Sequence, residues 1–66
     1  MPFVNIRILE GQSQENKDEI SRRVTQAITE VTGLPKEAVW IVYDGVGATD
    51  WYVGATTVAD LRKQNT

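Results

Sequence analysis

The 66-residue chain contains neither cysteine nor histidine, and this restricts how it can fold more than any other feature. A domain this short buries only about 60% of the surface its unfolded chain exposes. It is usually held together by a disulfide, a metal or a partner subunit. Without cysteine and histidine, disulfides are impossible and the commonest zinc ligands are missing. Nine acidic residues remain as ligands for hard cations, but they are scattered rather than gathered in a loop. No metal and no cofactor is expected. Association with further copies is the staple that remains.

Hydropathy patterning gives a single domain over residues 1–66. In Phe3 to Glu10, Val4, Ile6 and Ile8 alternate with Phe3, Asn5, Arg7 and Leu9, the period of a strand with one apolar and one mixed face. Gly11 ends it. Ser13 is a suitable N-cap and Glu15 suits the positive end of a helix. Ile20, Val24, Ala27, Ile28 and Val31 then recur at the spacing of one helical stripe. Gly33 and Pro35 close the helix, which would run about 19 residues or roughly 28 Å.

After a turn at Pro35-Lys36-Glu37, Ala38 to Asp44 is nearly all apolar and rich in β-branched and aromatic residues, as in a strand covered on both faces. Strand, helix and strand with short joins form a βαβ unit, so the strands should be parallel with a right-handed crossover. Residues 45–55 read as a loop and short hairpin, with Asp44 and Asp50 as carboxylates capping turns. Residues 57–63 read as a last helical turn. The class is α+β, a two-layer α/β arrangement. One helix covers one sheet face, so the alternation predicts apolar surface on the other, from Val4, Ile6, Ile8 and the second strand. A monomer cannot cover such a surface, so at least a dimer is expected.

Charge and hydropathy exclude several classes. The net charge is −2, and no basic cluster is longer than Arg22-Arg23 or Arg62-Lys63, so no nucleic-acid partner is expected. No apolar run approaches the ~20 residues of a membrane span, and the N-terminus lacks the pattern of a signal peptide. The expected setting is reducing and cytoplasmic, without a membrane.

Few groups remain that could perform chemistry. Thiol chemistry and histidine-based triads are impossible, and Gly45-Val46-Gly47 is not followed by the Lys of a phosphate loop. The chain terminus is the notable candidate. Removal of Met1 ahead of the small Pro2 would leave a free secondary amine able to take up and return a proton. An ordinary α-amino group titrates at about 7.7–8.0 and a free proline amine higher; burial beside apolar groups lowers it. A base near neutrality suits proton transfer at a carbon beside a carbonyl. While Met1 is attached, the Pro2 nitrogen is an amide without basicity.

Read together, Pro2 opening a strand, then Ile8-Leu9-Glu10-Gly11-Gln12-Ser13 before a helix, then Thr32-Gly33-Leu34-Pro35-Lys36-Glu37-Ala38-Val39 and Asp50-Trp51-Tyr52-Val53-Gly54-Ala55, resembles the 4-oxalocrotonate tautomerase family. The resemblance covers nearly the whole chain without a gap. It implies an isomerase in which Pro2 is the catalytic base, Leu9 is an apolar wall and Trp51 the aromatic wall. It also implies a homohexamer built as a trimer of dimers. Two arginines that hold the substrate in that family have no counterpart. Gln12 and Trp40 stand in their places, which removes a bidentate carboxylate clamp and implies a more neutral, aromatic pocket. Arg7, on the mixed strand face beside Leu9, could stand in, as could Arg62-Lys63 reaching from the tail to a neighbouring copy. The expected substrates are small 2-hydroxy-dienoic or 2-keto acids. Two alternatives are hydration or dehalogenation of a small unsaturated acid, and a non-catalytic oligomeric module of the same fold. For Gln12, Trp40, Trp51 and Arg7 the plainer readings are loop polarity, packing and solvated charge.

Overall fold

The computed structural model describes residues 2–64. Strand β1 spans Phe3–Leu9, helix α1 Gln14–Thr32 and strand β2 Trp40–Val46, with a single 3-10 turn at Lys36–Ala38 before β2. Two short strands, β3 (Tyr52–Val53) and β4 (Thr56–Thr57), form an antiparallel hairpin that leads into helix α2 (Val58–Gln64). β1 and β2 pair in parallel, with Phe3 opposite Trp40 and Leu9 opposite Val46, as the strand–helix–strand order predicts.

The ends of α1 follow from local chemistry. Ser13 Oγ accepts the Asn16 amide at 3.0 Å, satisfying one of the unpaired donors of the first turn. Gly33 at φ 77° donates its amide to the Thr29 carbonyl, a left-handed closure available to glycine without strain. Pro35, extended at φ −69° and ψ 153°, then turns the chain back toward the sheet.

Three sequence expectations are corrected. First, β2 begins at Trp40 and runs through Asp44 to Val46, because residues 36–38 are held as a 3-10 turn by Ala38 N–H to Pro35 O at 3.0 Å. Asp44 is therefore a strand residue paired with Arg7 rather than a turn cap. Second, Val4, Ile6 and Ile8 lie on the side of the helix. Tyr43, opposite Ile6, hydrogen bonds α1 from this side, its hydroxyl donating to the Lys17 carbonyl at 2.9 Å and meeting Ser21 Oγ at 2.8 Å. The open face is the other one, carrying Phe3, Asn5, Arg7 and Leu9 with Trp40, Val42, Asp44 and Val46, since opposed residues in a parallel pair share a face. Third, the inward stripe of α1 centres on Ser21, Val24 and Ile28, while Ala27 and Val31 are exposed, Val31 at 86%. The 19-residue helix, about 28 Å long, is longer than a seven-residue strand of about 23 Å.

The chain measures 45 × 23 × 15 Å, too thin to enclose an interior. Among the described residues none is buried, apolar or polar. Phe3 (61% exposed), Trp40 (55%) and Val42 (44%) stand open on the uncovered sheet face. That is more apolar surface than a chain of this size ordinarily leaves to water.

Candidate active site

The expected site residues fall into two groups at opposite ends of the strands. At the start of β1 lie Pro2 and Trp40. The Trp40 amide donates to the Pro2 carbonyl at 3.0 Å, extending the ladder by one residue and fixing Pro2 half-exposed at the sheet end. Trp40 opposes Phe3, and its indole belongs to the open face. Pro2 itself follows Met1, whose removal the sequence reading requires; Met1 lies outside the described residues.

At the far end lie Leu9, Gln12, Trp51 and Arg7. Pro2 and Leu9 are seven residues apart along an extended strand, about 23 Å at ~3.3 Å per residue, so no small substrate touches both ends of one chain. Trp51 is placed by its backbone: its carbonyl accepts the Val58 amide at 2.8 Å, and Ala59 N–H reaches the Ala48 carbonyl at 3.1 Å. These bonds pin the hairpin and α2 to the loop after β2. An open cleft of about 470 Å³ is lined there by Arg7, Asp44, Val46, Asp50, Trp51 and Tyr52. Arg7 Nε donates to Asp44 Oδ2 at 3.3 Å, so this cation is already matched by a carboxylate, with Asp50 a second nearby.

Gln12 belongs to a different cleft of about 230 Å³, shared with Asn16, Glu19, Ile20 and Arg23. The Asn16 side-chain amide donates to Gln12 Oε1 at 3.0 Å, which leaves the Gln12 NH2 group as the free donor. Glu19 accepts from both Arg22 and Arg23, the latter at 2.7 Å. These guanidinium hydrogen bonds, Arg22 first, hold its carboxyl down at about 2 from an ordinary 4.5, and Glu19 in turn raises Arg22. The cleft beside Gln12 therefore carries one matched pair, Arg23 with Glu19. Sequence reading passed over Arg23, although residues 16, 19, 20 and 23 follow a helical stripe directly below Gln12. The Arg7–Asp44 pair has no local sequence signal, since 37 residues separate its members and only the strand register brings them together. Among the described residues no cluster of acidic side chains suited to a metal occurs, and no helix is long and apolar enough to cross a membrane.

Comparison with known proteins places this geometry in a class. The chain belongs to the tautomerase family, whose model, described as tautomerase enzyme, matches residues 2–61. A probable tautomerase of Bacillus cereus is 32% identical over 60 residues, covering 91% of this chain and 98% of the relative. The structure of TomN, a 4-oxalocrotonate tautomerase homologue in the tomaymycin biosynthetic pathway, matches with a TM-score of 0.91 at 29% identity over 98% of this chain and 100% of its own. A heterohexamer 4-oxalocrotonate tautomerase from Chloroflexus aurantiacus matches with a TM-score of 0.85 at 34% identity, covering 94% and 100% of the two chains. The fold is the tautomerase-like fold, and the Chloroflexus aurantiacus relative is a heterohexamer.

Proposed function

We propose that this protein is a keto–enol tautomerase in which the secondary amine of Pro2, freed by removal of Met1, is both general base and general acid. The observation that supports this most is the position of Pro2: it opens β1 at the sheet end, anchored through its carbonyl by the Trp40 amide, with an indole next to it on the open face. In the forward direction the amine takes the hydroxyl proton of a 2-hydroxy-dienoic acid. The O–H electron pair becomes the carbonyl π bond, the conjugated double bonds shift, and the proton is delivered to the far carbon. No electrons enter or leave, so no cofactor is required.

The two groups of site residues meet across subunits. We assign Leu9, Gln12 and Trp51 of one copy and Pro2 and Trp40 of others to one pocket, in a homohexamer arranged as a trimer of dimers. The resemblance to a heterohexamer relative and the ~23 Å strand length support this arrangement. Gln12, through its free NH2 group, would receive a single substrate carboxylate, Arg23 being held by Glu19 at 2.7 Å, while Trp40 and Trp51 would favour an aryl or other flat substituent. Arg7, matched by Asp44, is then a weak carboxylate holder. A dianionic substrate should bind poorly in such a pocket, since no bidentate arginine clamp faces each end.

The test begins with the intact mass of protein from its own cells. Ketonisation of phenylenolpyruvate by mature wild type and by Pro2→Ala follows. Pro2→Ala should lower the rate by about 10² or more, the usual share of a positioned general base. Equal rates, or complete retention of Met1, would overturn the proposal.

A further inference from the structure

The open sheet face has a simple composition. Of its eight residues, Phe3, Leu9, Trp40, Val42 and Val46 are apolar, Asn5 is neutral, and Arg7 and Asp44 carry its only charges, one of each sign. The pair lies directly across the two strands at 3.3 Å, with side chains 68% and 48% exposed. An ion pair this wet adds roughly 0–1 kcal/mol to a single chain, so fold stability gives little account of it. Its surroundings differ from those of the other ion pairs. Arg22, Arg23 and Glu19 sit on a helix face among further polar groups, whereas Arg7 and Asp44 interrupt an apolar patch large enough to need covering.

The charge arrangement says what covers it. A face that is apolar apart from one cation and one anion side by side is complementary to itself. Turned by a two-fold axis, Arg7 of one copy can lie against Asp44 of its partner and Asp44 against the partner's Arg7. Resting on the proposed self-assembly, we propose that this pair is the polarity key of the assembly: each copy's Arg7 is met by another copy's Asp44, and copies are admitted only when these charges oppose. Arg7 uses Nε toward its own Asp44, so its terminal N–H groups remain as donors for a second carboxylate. Once the patch is dry, mismatched charges at this spot cost far more than matched ones return, so the pair selects register and partner rather than adding strength. Asp50, on the loop beside the same cleft, lies off the sheet face and adds a carboxylate at its rim.

A charge swap tests this, because a pair acting only within one chain and a pair acting between chains behave differently. The Arg7→Asp/Asp44→Arg double variant keeps the intrachain pair with reversed polarity. Because it has the mass of wild type, one of the two proteins is labelled with 15N; after mixing under exchange conditions, native mass spectrometry reads the populations. The key predicts that double variant and wild type sort into separate assemblies, with mixed particles depleted at least about thirtyfold below the statistical level, the lower end for an unmatched desolvated charge. Statistical mixing would overturn the key while leaving the assembly intact. The single variants Arg7→Asp and Asp44→Arg provide the second arm: each should fail to assemble alone at micromolar concentration, and an equimolar mixture should assemble. If the double variant does not assemble and the mixture fails too, the key is likewise overturned. A wild type that is itself monomeric would instead remove the assembly reading, and the key with it.

Discussion

The same two strands present two faces that obey different rules. On the helix side, Val4, Ile6 and Ile8 with Ile41 and Tyr43 are half-covered by α1, and the one polar group there is satisfied within the chain by Lys17 and Ser21. On the other side, Phe3, Trp40 and Val42 stand open around one ion pair. The first face is closed within the chain; the second is the one that the proposed assembly would cover. The strongest way to break this contrast is to charge the open face. Val42→Glu on a face that stays wet should change stability by no more than about 0.5 kcal/mol. On a face that becomes dry it should cost several kcal/mol, because an unpaired carboxylate is buried. We expect the second result: sedimentation should show wild type assembled and Val42→Glu as single chains at micromolar concentration. An unchanged sedimentation coefficient would mean that this face stays in water.

The helix side is sharpened by a smaller change. Tyr43→Phe removes a hydroxyl that donates to the Lys17 carbonyl and meets Ser21 Oγ. The Lys17 carbonyl keeps its place in the helix ladder and Ser21 can turn toward its own backbone, so little is left unpaired. A loss of about 1 kcal/mol is expected, the ordinary net value of such a hydrogen bond. It should appear in urea unfolding with the same size at low and high protein concentration, because the contact closes within one chain. A loss that grew on dilution would place Tyr43 at a subunit boundary.

How much of this could be read from the sequence depended on whether the signal was local. Ser13, Gly33 and Pro35 bound α1 through contacts a few residues long, and the helix lies where they put it. The parallel pairing of β1 and β2 followed from the length of the connection alone. Which face of β1 the helix would cover did not. Both faces of FVNIRIL contain large apolar residues, and the choice is made by Tyr43 reaching across to residues 17 and 21, a contact between residues more than 20 apart. The start of β2 was misplaced because Ala38 and Val39 look like strand, yet the turn after Pro35 still holds them. For the site, Pro2, Leu9, Gln12, Trp40 and Trp51 could be proposed from their motifs. That they separate to two ends of the molecule is visible only once the strand register is known. The engagement of Arg7 by Asp44 likewise depends on register, since 37 residues separate the partners.

The outer face of α1 is a third surface, and it provides the smallest and most discriminating effect. Its charges remain in water whichever sheet face is covered, so their contribution should be independent of assembly. Glu19 carries most of it. Hydrogen bonds from Arg22 and then Arg23 hold its carboxyl at about 2 in the folded chain against an ordinary 4.5. The folded value is the lower one, so the unfolded chain binds the proton more readily. The resulting stabilisation is fully present above about 4.5 and fades as pH falls toward about 2. Because the group is solvated, the effect is small and salt-screened. At low ionic strength, wild type should therefore lose slightly more stability between pH 5 and pH 2.5 than Glu19→Gln does, and about 1 M salt should erase the difference. The difference should not vary with protein concentration, unlike that of Val42→Glu. If it did vary, the helix exterior would also have to lie at a contact between copies, and the division of the molecule into one wet surface, one internal face and one shared face would fail.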